Sequence, residues 1–414
     1  MTVAMRYACP GRTGPLRSVF ALLSVLAVPA AAKDGTSRDG VTLVEQVDTV
    51  LPADLPPMLA YKVAALAEVD PRNPLSDDSD RQTLSLFGRE DLIAAVSDDF
   101  KPYRCLPAQG TTGVFDEIEA RARGTSIVIV NESHERSQHR GFTAQVARRL
   151  RPLGYSVLAM ETLMNDPPGL AEDKRSTFLK QPTLPYLEDG DGHYLSEAGF
   201  GRLGRQAKSL GYRLLPYEPS QDGPAVERSW EQRIAIREEG QASDLAAFVR
   251  DHPGTKLLIH VGYSHAAEVP RKDGSRWMAA RLKEKTGIDP LTVSQINCRG
   301  SSDALRLASL QADEPKGSFD LIVDHPDARF ERGRPEWRKL AGDSVVTIPA
   351  SLRPVAGWRV IEARPIGEST SSVPMDRVAI RPGEDVALML PPGRYSLRVI
   401  DPAVPPKKPA MPAN

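Results

Sequence analysis

Ser126-Ile127-Val128-Ile129-Val130-Asn131-Glu132-Ser133-His134 and Lys256-Leu257-Leu258-Ile259-His260-Val261-Gly262-Tyr263-Ser264-His265 share one pattern, a short apolar run followed by a polar tetrad that ends in histidine. Each run is rich in β-branched residues or leucine and is preceded by a glycine, Gly124 or Gly254, which predicts a buried strand. Open α/β sheets bind ligands at the carboxyl ends of their strands. The two tetrads are therefore the candidate site, and the fold question is whether the intervening chain can bring them together.

That chain alternates between the two periodicities. Helical spacing at 115–123 leads into the first strand, and 141–151 is helical through Phe142, Val146 and Leu150 until Pro152 and Gly154 stop it. A second strand at 155–160, a helix at 200–210, a third strand at 212–217 and a long polar helix at 226–249 precede the fourth strand at Lys256. A helix at 277–285 and strands at 291–296 and 319–323 follow. Alternating strands and helices predict a mostly parallel sheet covered by helices. From about residue 350 the character changes: 358–365, 377–380, 386–390 and 395–400 are strand-type runs, with a turn at Pro391-Pro392-Gly393-Arg394 between the last two. The expectation is an α/β fold over 112–349 followed by a small antiparallel β domain at 350–401. Residues 33–111 are expected to form an N-terminal cap with a flexible start at 33–44, and 402–414 a proline-rich disordered tail.

The first 32 residues carry Arg6, Arg12 and Arg17 with no acid, an apolar stretch at 19–28, and Pro29-Ala30-Ala31-Ala32. This is the layout of a cleaved export signal, and the apolar stretch is too short for a bilayer span of ~20 residues. The expected product is periplasmic or secreted, with no integral membrane span after cleavage. Its formal charge moves from −1 to −4 as the three arginines leave, a balance that gives no reason to expect nucleic acid as a partner. Cys105 and Cys298 remain, and an oxidising compartment allows a disulfide between them, the alternative being two separate buried thiols.

In a parallel sheet the strand ends collect Glu132 and His134, then Glu161, then Glu218, then His265 with Glu268, at one edge. Carboxylates and neutral imidazoles are ligands for a divalent metal, and they are also the groups that activate water. His134, His265, Glu132 and Glu161 are the catalytic candidates, and His134, His265 and Glu161 the ligands if a metal is present. Arg140 can clamp a carboxylate or phosphate, or pair with Glu132 or Glu161; with His139 and Glu218 it completes the candidate substrate-binding set. Plain structural roles compete: Asn131 or Glu132 as a helix cap, Glu161 or Glu218 as a loop tie. His260 inside the fourth strand reads as a core histidine, His193 as part of a loop over the crevice or plain surface, and His252 and His325 as loop residues without a role. The irregular stretch 163–198 exceeds normal connection length, and Arg233, Arg237, Glu238 and Gln241 share one helical face.

Asn131-Glu132-Ser133-His134, His139, Phe142, Gly154-Tyr155 and the strand ending in Glu161 resemble the opening of the superfamily that joins ChaN-type haem-binding proteins, Tiki/TraB-type proteins and erythromycin esterases. Gly262-Tyr263-Ser264-His265 resembles its second glycine-x-x-histidine motif. The resemblance covers about residues 112–297 and is closest to the ChaN-like branch. Asn131 stands where that family usually has glycine, the glutamate-to-histidine spacing is one residue shorter than in the macrolide esterases, and the lipoprotein cysteine is absent. The resemblance implies haem or iron-compound binding, metal-dependent peptide cleavage, or ester hydrolysis, according to branch. The expected function is thus an exported hydrolase acting on a small-molecule or peptide substrate, with or without a divalent metal, and the alternative is haem or metal binding without turnover.

Overall fold

The computed structural model describes residues 34–70, 78–110, 113–219, 228–271, 273–312 and 314–402. The expected signal at 1–32, and all but Pro402 of the expected tail, lie outside them. Strands β1 (Asp34–Arg38) and β2 (Val41–Val50) precede helices α1 (Pro57–Glu68), α2 (Asp78–Leu86) and α3 (Glu90–Ile93). Alternation then begins with α4 (Val114–Ala122), β3 (Ile127–Glu132), α5 (Ser137–Leu150), β4 (Tyr155–Met160), the short α6 (Thr177–Lys180), α7 (Ala198–Ser209), β5 (Arg213–Leu215), α8 (Trp230–Asp251) and β6 (Lys256–Gly262). It continues through α9 (Met278–Thr286), β7 (Leu291–Arg299), β8 (Arg306–Ala308) and β9 (Leu321–His325). The chain closes with β10 (Phe330–Glu331), β11 (Arg334–Pro335), α10 (Glu336–Leu340), β12 (Ser344–Thr347), β13 (Arg359–Pro365), β14 (Asp376–Ile380), β15 (Ala387–Leu390) and β16 (Gly393–Ile400).

The main sheet runs β5-β4-β6-β3-β7-β9-β8, and only β8 is antiparallel to its neighbour. Its strands are continuous apolar runs because both faces are covered. Val128 and Val130 of β3 enter one core with α4, α5 and α7, while Ile127 and Ile129 enter the other with α8 and α9. The predicted α/β class with a mostly parallel, helix-covered sheet is what forms. Helix α8 starts at Ser229, whose hydroxyl accepts the Gln232 N–H in a capping box.

Three expectations are corrected. The start expected to be flexible, 33–44, is strand over Asp34–Arg38 and from Val41 on: β2 pairs in parallel with β16, from Val41 opposite Gly393 to Val50 opposite Ile400. Val41 and Leu43 supply the reason, because both are buried in the core of the terminal sheet. That sheet, β1-β2-β16-β13-β14, therefore draws on both ends of the chain, with antiparallel pairs β13/β14 and β13/β16. The strand runs expected in one small antiparallel domain at 350–401 divide between two sheets, since β15 pairs with β12. Pro391 and Pro392 carry the chain from one small sheet to the other. His325, expected in a loop, ends β9 and is buried.

Two ties hold the terminal sheet and the main sheet in register with the rest. Asp189, in the long segment after β4, lies 2.7 Å from Arg377 of β14 and 3.3 Å from Arg364 of β13, all fully or nearly fully buried. Glu362 accepts from the same Arg377 and Arg364, at 2.5 and 2.6 Å. Elsewhere Cys105 is bonded to Cys298 at the end of β7, with Cα atoms 5.8 Å apart and 193 residues between them in sequence. Among the described residues no helix is long and apolar enough to cross a membrane.

Replacing Arg377 by leucine leaves two buried carboxylates short of a partner and is expected to cost about 3–5 kcal/mol of unfolding free energy, read from urea denaturation. The double substitution Cys105→Ala with Cys298→Ala is expected to cost about 2–5 kcal/mol; an unchanged urea midpoint would show that the bond does not restrain the unfolded chain.

Candidate functional site

Strand β6 lies between β4 and β3, so the second tetrad is inserted between Glu161 and Glu132. The close approach depends on Gly262. A Cβ there would stand 2.6 Å from His134 Cε1, 2.8 Å from His134 Nε2 and 3.0 Å from Glu161 Oε2. No side chain can occupy that space, and the first tetrad's histidine lies over the second tetrad's glycine. The Gly262 N–H donates to Glu161 Oε2 at 2.6 Å, and the chain then turns through Tyr263–Ala266 to present His265.

Around β3, Glu132 is buried with its Oε1 2.8 Å from His134 Nδ1. Arg140 of α5 sits beneath, its Nε 3.0 Å from Glu132 Oε2. Its Nη2 donates to Glu132 Oε1 at 3.3 Å and to the His134 carbonyl at 2.9 Å. The guanidinium packs on Phe200, 4.2 Å from the ring centre. His260 Nε2 adds a contact at 3.4 Å to Glu132 Oε2. Burial alone would raise the Glu132 pKa, but Arg140, His260 and the His134 hydrogen bond hold it well below the ordinary carboxylate range. An ionised acceptor at Nδ1 keeps the proton on that nitrogen and leaves Nε2 with its lone pair. Nε2 has no hydrogen-bond partner among the described residues, and the side chain is 16% exposed. Tyr194 and Tyr263 flank the ring at 4.8 and 5.0 Å between centres.

The neighbouring group is built from β4, β6 and α8. Arg237 of α8 contacts Glu161 through Nη2, reaches Glu218 through Nε at 2.5 Å, and lies 3.0 Å from His265 Nε2 through Nη1. Gln241, one turn on, donates to Glu218 at 2.7 Å. His265 Nδ1 is 2.5 Å from Glu238, whose other oxygen accepts the Met278 N–H. Burial raises the Glu161 carboxyl, and His265, Arg237 and His134 outweigh it, bringing its pKa down to about 2. Burial lowers the His265 pKa, but the Glu238 hydrogen bond and the Glu161 charge carry it above the ordinary value.

The structure thus brings together Glu132, His134, Glu161, Glu218 and His265, and adds His260, which touches Glu132 although it is buried in the core. Arg140 is fully buried, its Nε 3.0 Å from Glu132 and 3.6 Å from Glu197. His139 is buried too: its Nδ1 accepts the Ser133 N–H at 2.9 Å, and its ring lies 5.1 Å from that of His325. Glu268 is turned away, bonded to Thr292 and Lys283. Asn131, at the end of β3, ties it to the turn after β6 and to β7: its Nδ2 donates to the Tyr263 carbonyl at 2.8 Å and its Oδ1 accepts the Gln295 N–H at 2.7 Å. It thereby holds Tyr263 at φ +41°, a left-handed conformation that costs a non-glycine residue of order 1–3 kcal/mol. Sequence reading missed Asp99, which accepts from Tyr263 Oη at 3.2 Å and from Ser133 Oγ; nothing in a solitary aspartate upstream signals this. Arg237 and Glu238 were visible as a helical face, without their partners.

The implied metal does not fit these residues. Among the described residues no three His, Cys, Asp or Glu side chains are grouped to hold a metal ion. The set His134, His265 and Glu161 is interrupted by the Arg237 guanidinium, which takes Glu161 and His265 Nε2 and repels a second cation. Of two clefts of about 640 and 570 Å3, the first has no histidine in its lining, and the second has His325, whose Nε2 is held by Gln295 at 2.8 Å. Neither offers a haem an axial ligand.

No family model and no curated protein matches the chain. Among solved structures, the type III effector HopBA1 is similar at 13% identity and TM-score 0.35, over 56% of this chain and 100% of that one. A MARTX toxin effector domain from Vibrio vulnificus, RRSP, is similar at 13% identity and TM-score 0.33, over 64% and 48%. ChaN of Campylobacter jejuni, described with cofacial haem binding, is similar at 9% identity and TM-score 0.31, over 50% and 91%. Likenesses at this level assign no chemistry to this chain.

Proposed function

We propose that the crevice hydrolyses an ester or amide carbonyl by general base catalysis at His134. One observation carries the reading: Glu132 takes Nδ1 of His134, and Nε2 is left with a lone pair on a side chain that is 16% exposed. Nε2 removes a proton from water as the water oxygen bonds to the carbonyl carbon. The charge that develops on the carbonyl oxygen faces the cationic side of the cluster, Arg237, which its carboxylate partners Glu161 and Glu218 keep protonated against the opposing effect of burial. Collapse breaks the bond to the leaving group, which takes the proton from the His134 imidazolium. Glu132 orients the ring and stabilises that imidazolium, and Arg140 positions Glu132.

His265 has a different role from the one its motif suggests. Both its nitrogens are engaged, one by Glu238 and one by Arg237, so it positions Arg237 instead of activating water. The Cys105–Cys298 bond supports placing the reaction in an oxidising compartment, in line with the export signal expected at 1–32.

Screening a panel of p-nitrophenyl esters and short peptides tests the reading. His134→Ala and Glu132→Gln are expected to lower kcat by roughly 10²–10⁴-fold with the circular dichroism spectrum unchanged; full activity in His134→Ala would sink the mechanism. Gly262→Ala should lower kcat comparably, because its methyl displaces the ring. Stability against pH follows from the same charges. With its folded pKa near 2 against an ordinary 4.5, Glu161 contributes fully above 4.5 and loses that contribution as pH falls towards 2, on the order of 3 kcal/mol in all. His265, shifted upward, contributes below its unfolded value of about 6.5 and loses that contribution as pH rises through its folded value. Urea midpoints of the wild type and Glu161→Gln should therefore converge between pH 4.5 and 2; a constant gap would contradict the assignment.

A further inference from the structure

Behind the catalytic carboxylate lies the 570 Å3 cleft between α5, α7 and α10, within the ~300–1,000 Å3 range of small-molecule sites. Its apolar walls include Phe142, Leu203, Leu305 and Trp337, and its lining also contains Arg140 and Glu197. Trp337 packs against α5 where residue 141 is glycine: a Cβ there would stand 2.5 Å from the indole ring. Arg140 is 1% exposed and Glu197 5%. Arg140 Nη1 and Glu197 Oε2 are nevertheless buried without hydrogen-bond partners, and the nearest approach between these two side chains, Arg140 Nε to Glu197 Oε2, is 3.6 Å. A buried donor and a buried acceptor side by side are costly unless something satisfies both, about 1–3 kcal/mol for each neutral group and more for charged ones.

We infer that this cleft is a second binding site, for a small amphipathic molecule with a neutral amide head. Its carbonyl oxygen accepts from Arg140 Nη1, its N–H donates to Glu197 Oε2, and its hydrocarbon body lies against Phe142, Leu203, Leu305 and Trp337. Charge selects the neutral head. At the head position Arg140 already stands between two carboxylates, Glu132 and Glu197, while the lining's Arg202 and Arg338 are paired with Asp343 and its Arg148 is exposed. A carboxylate head there meets two like charges, whereas an ammonium head satisfies Glu197 but crowds Arg140. The site is distinct from the hydrolytic crevice and shares only Arg140 with it.

Calorimetric titration of the full chain with octanamide, octanoate and octylamine tests the inference without reference to turnover. Octanamide is expected to bind saturably with Kd at or below about 1 mM, and the two charged analogues roughly tenfold more weakly or worse. Ala341→Trp, at an exposed position of the lining, should abolish octanamide binding while leaving the melting temperature and the His134-dependent activity unchanged. Absence of saturable octanamide binding, equal binding of the three heads, or binding undiminished in a folded Ala341→Trp variant would each overturn the proposal. Loss of hydrolysis alone would bear only on the crevice.

Discussion

Two ionised carboxylates buried at neighbouring strand ends are the constraint on which the rest of the site depends. Taking a carboxylate out of water costs several kcal/mol even after relaxation, and Glu132 and Glu161 are 1% and 2% exposed. Each must be compensated by groups that the fold delivers from elsewhere. Glu132 receives Arg140 from α5 and two imidazoles; Glu161 receives Arg237 from α8, His265 and the Gly262 N–H. The two helices lie on opposite faces of the sheet, so the charges at its edge bind both layers to the strand ends. A change that loosened either helix would leave an uncompensated charge in the interior.

The ends of the chain act on this arrangement through polar contacts as well as through apolar cover. Asp99 joins Tyr263 and Ser133, and Glu135 is held by Ser97 and by the Ser85 hydroxyl, which donates to the Glu135 carbonyl at 2.8 Å. The segment before the α/β core thus fixes the loop that follows the first tetrad. On the far side Asp189 anchors the long segment after β4 to the terminal sheet, and Tyr194, five residues later in the chain, forms one flank of His134. The terminal sheet therefore helps to define the mouth of the site, although it contributes no residue to the chemistry proposed there.

Much of the α/β core was legible because its signals are local. Apolar runs bounded by glycine mark β3, β4 and β6, and β4 was placed at its observed bounds. Co-location of the strand-end acids was legible too, since parallel strands put their carboxyl ends on one edge. Pairing between distant segments was not. Val41 and Leu43 are apolar, but nothing near them in sequence indicates that they pair with a strand more than 340 residues later. The turn at Pro391-Pro392 shows a related limit: turn chemistry says that the chain reverses, not which strand accepts the ladder. Arg140 shows the limit for side chains, because its fork suits a substrate anion and a buried partner equally, and only depth in the fold separates the two.

The two histidine tetrads look equivalent in sequence, and their proton bookkeeping separates them. A histidine can act as a base only through a nitrogen that has a lone pair and is not held by another group. His134 meets both conditions because a single carboxylate takes its Nδ1 and Gly262 clears room for its ring. His265 meets neither, with Glu238 on one nitrogen and Arg237 on the other. The glycine of the second motif therefore serves the histidine of the first, while the histidine of the second serves Arg237, the cation proposed to face the developing charge. Neither motif forms a working unit alone. What the proposed chemistry requires is their interleaving across β6 and β3, which makes the order of the central strands, rather than either tetrad, the feature from which a hydrolytic reading follows.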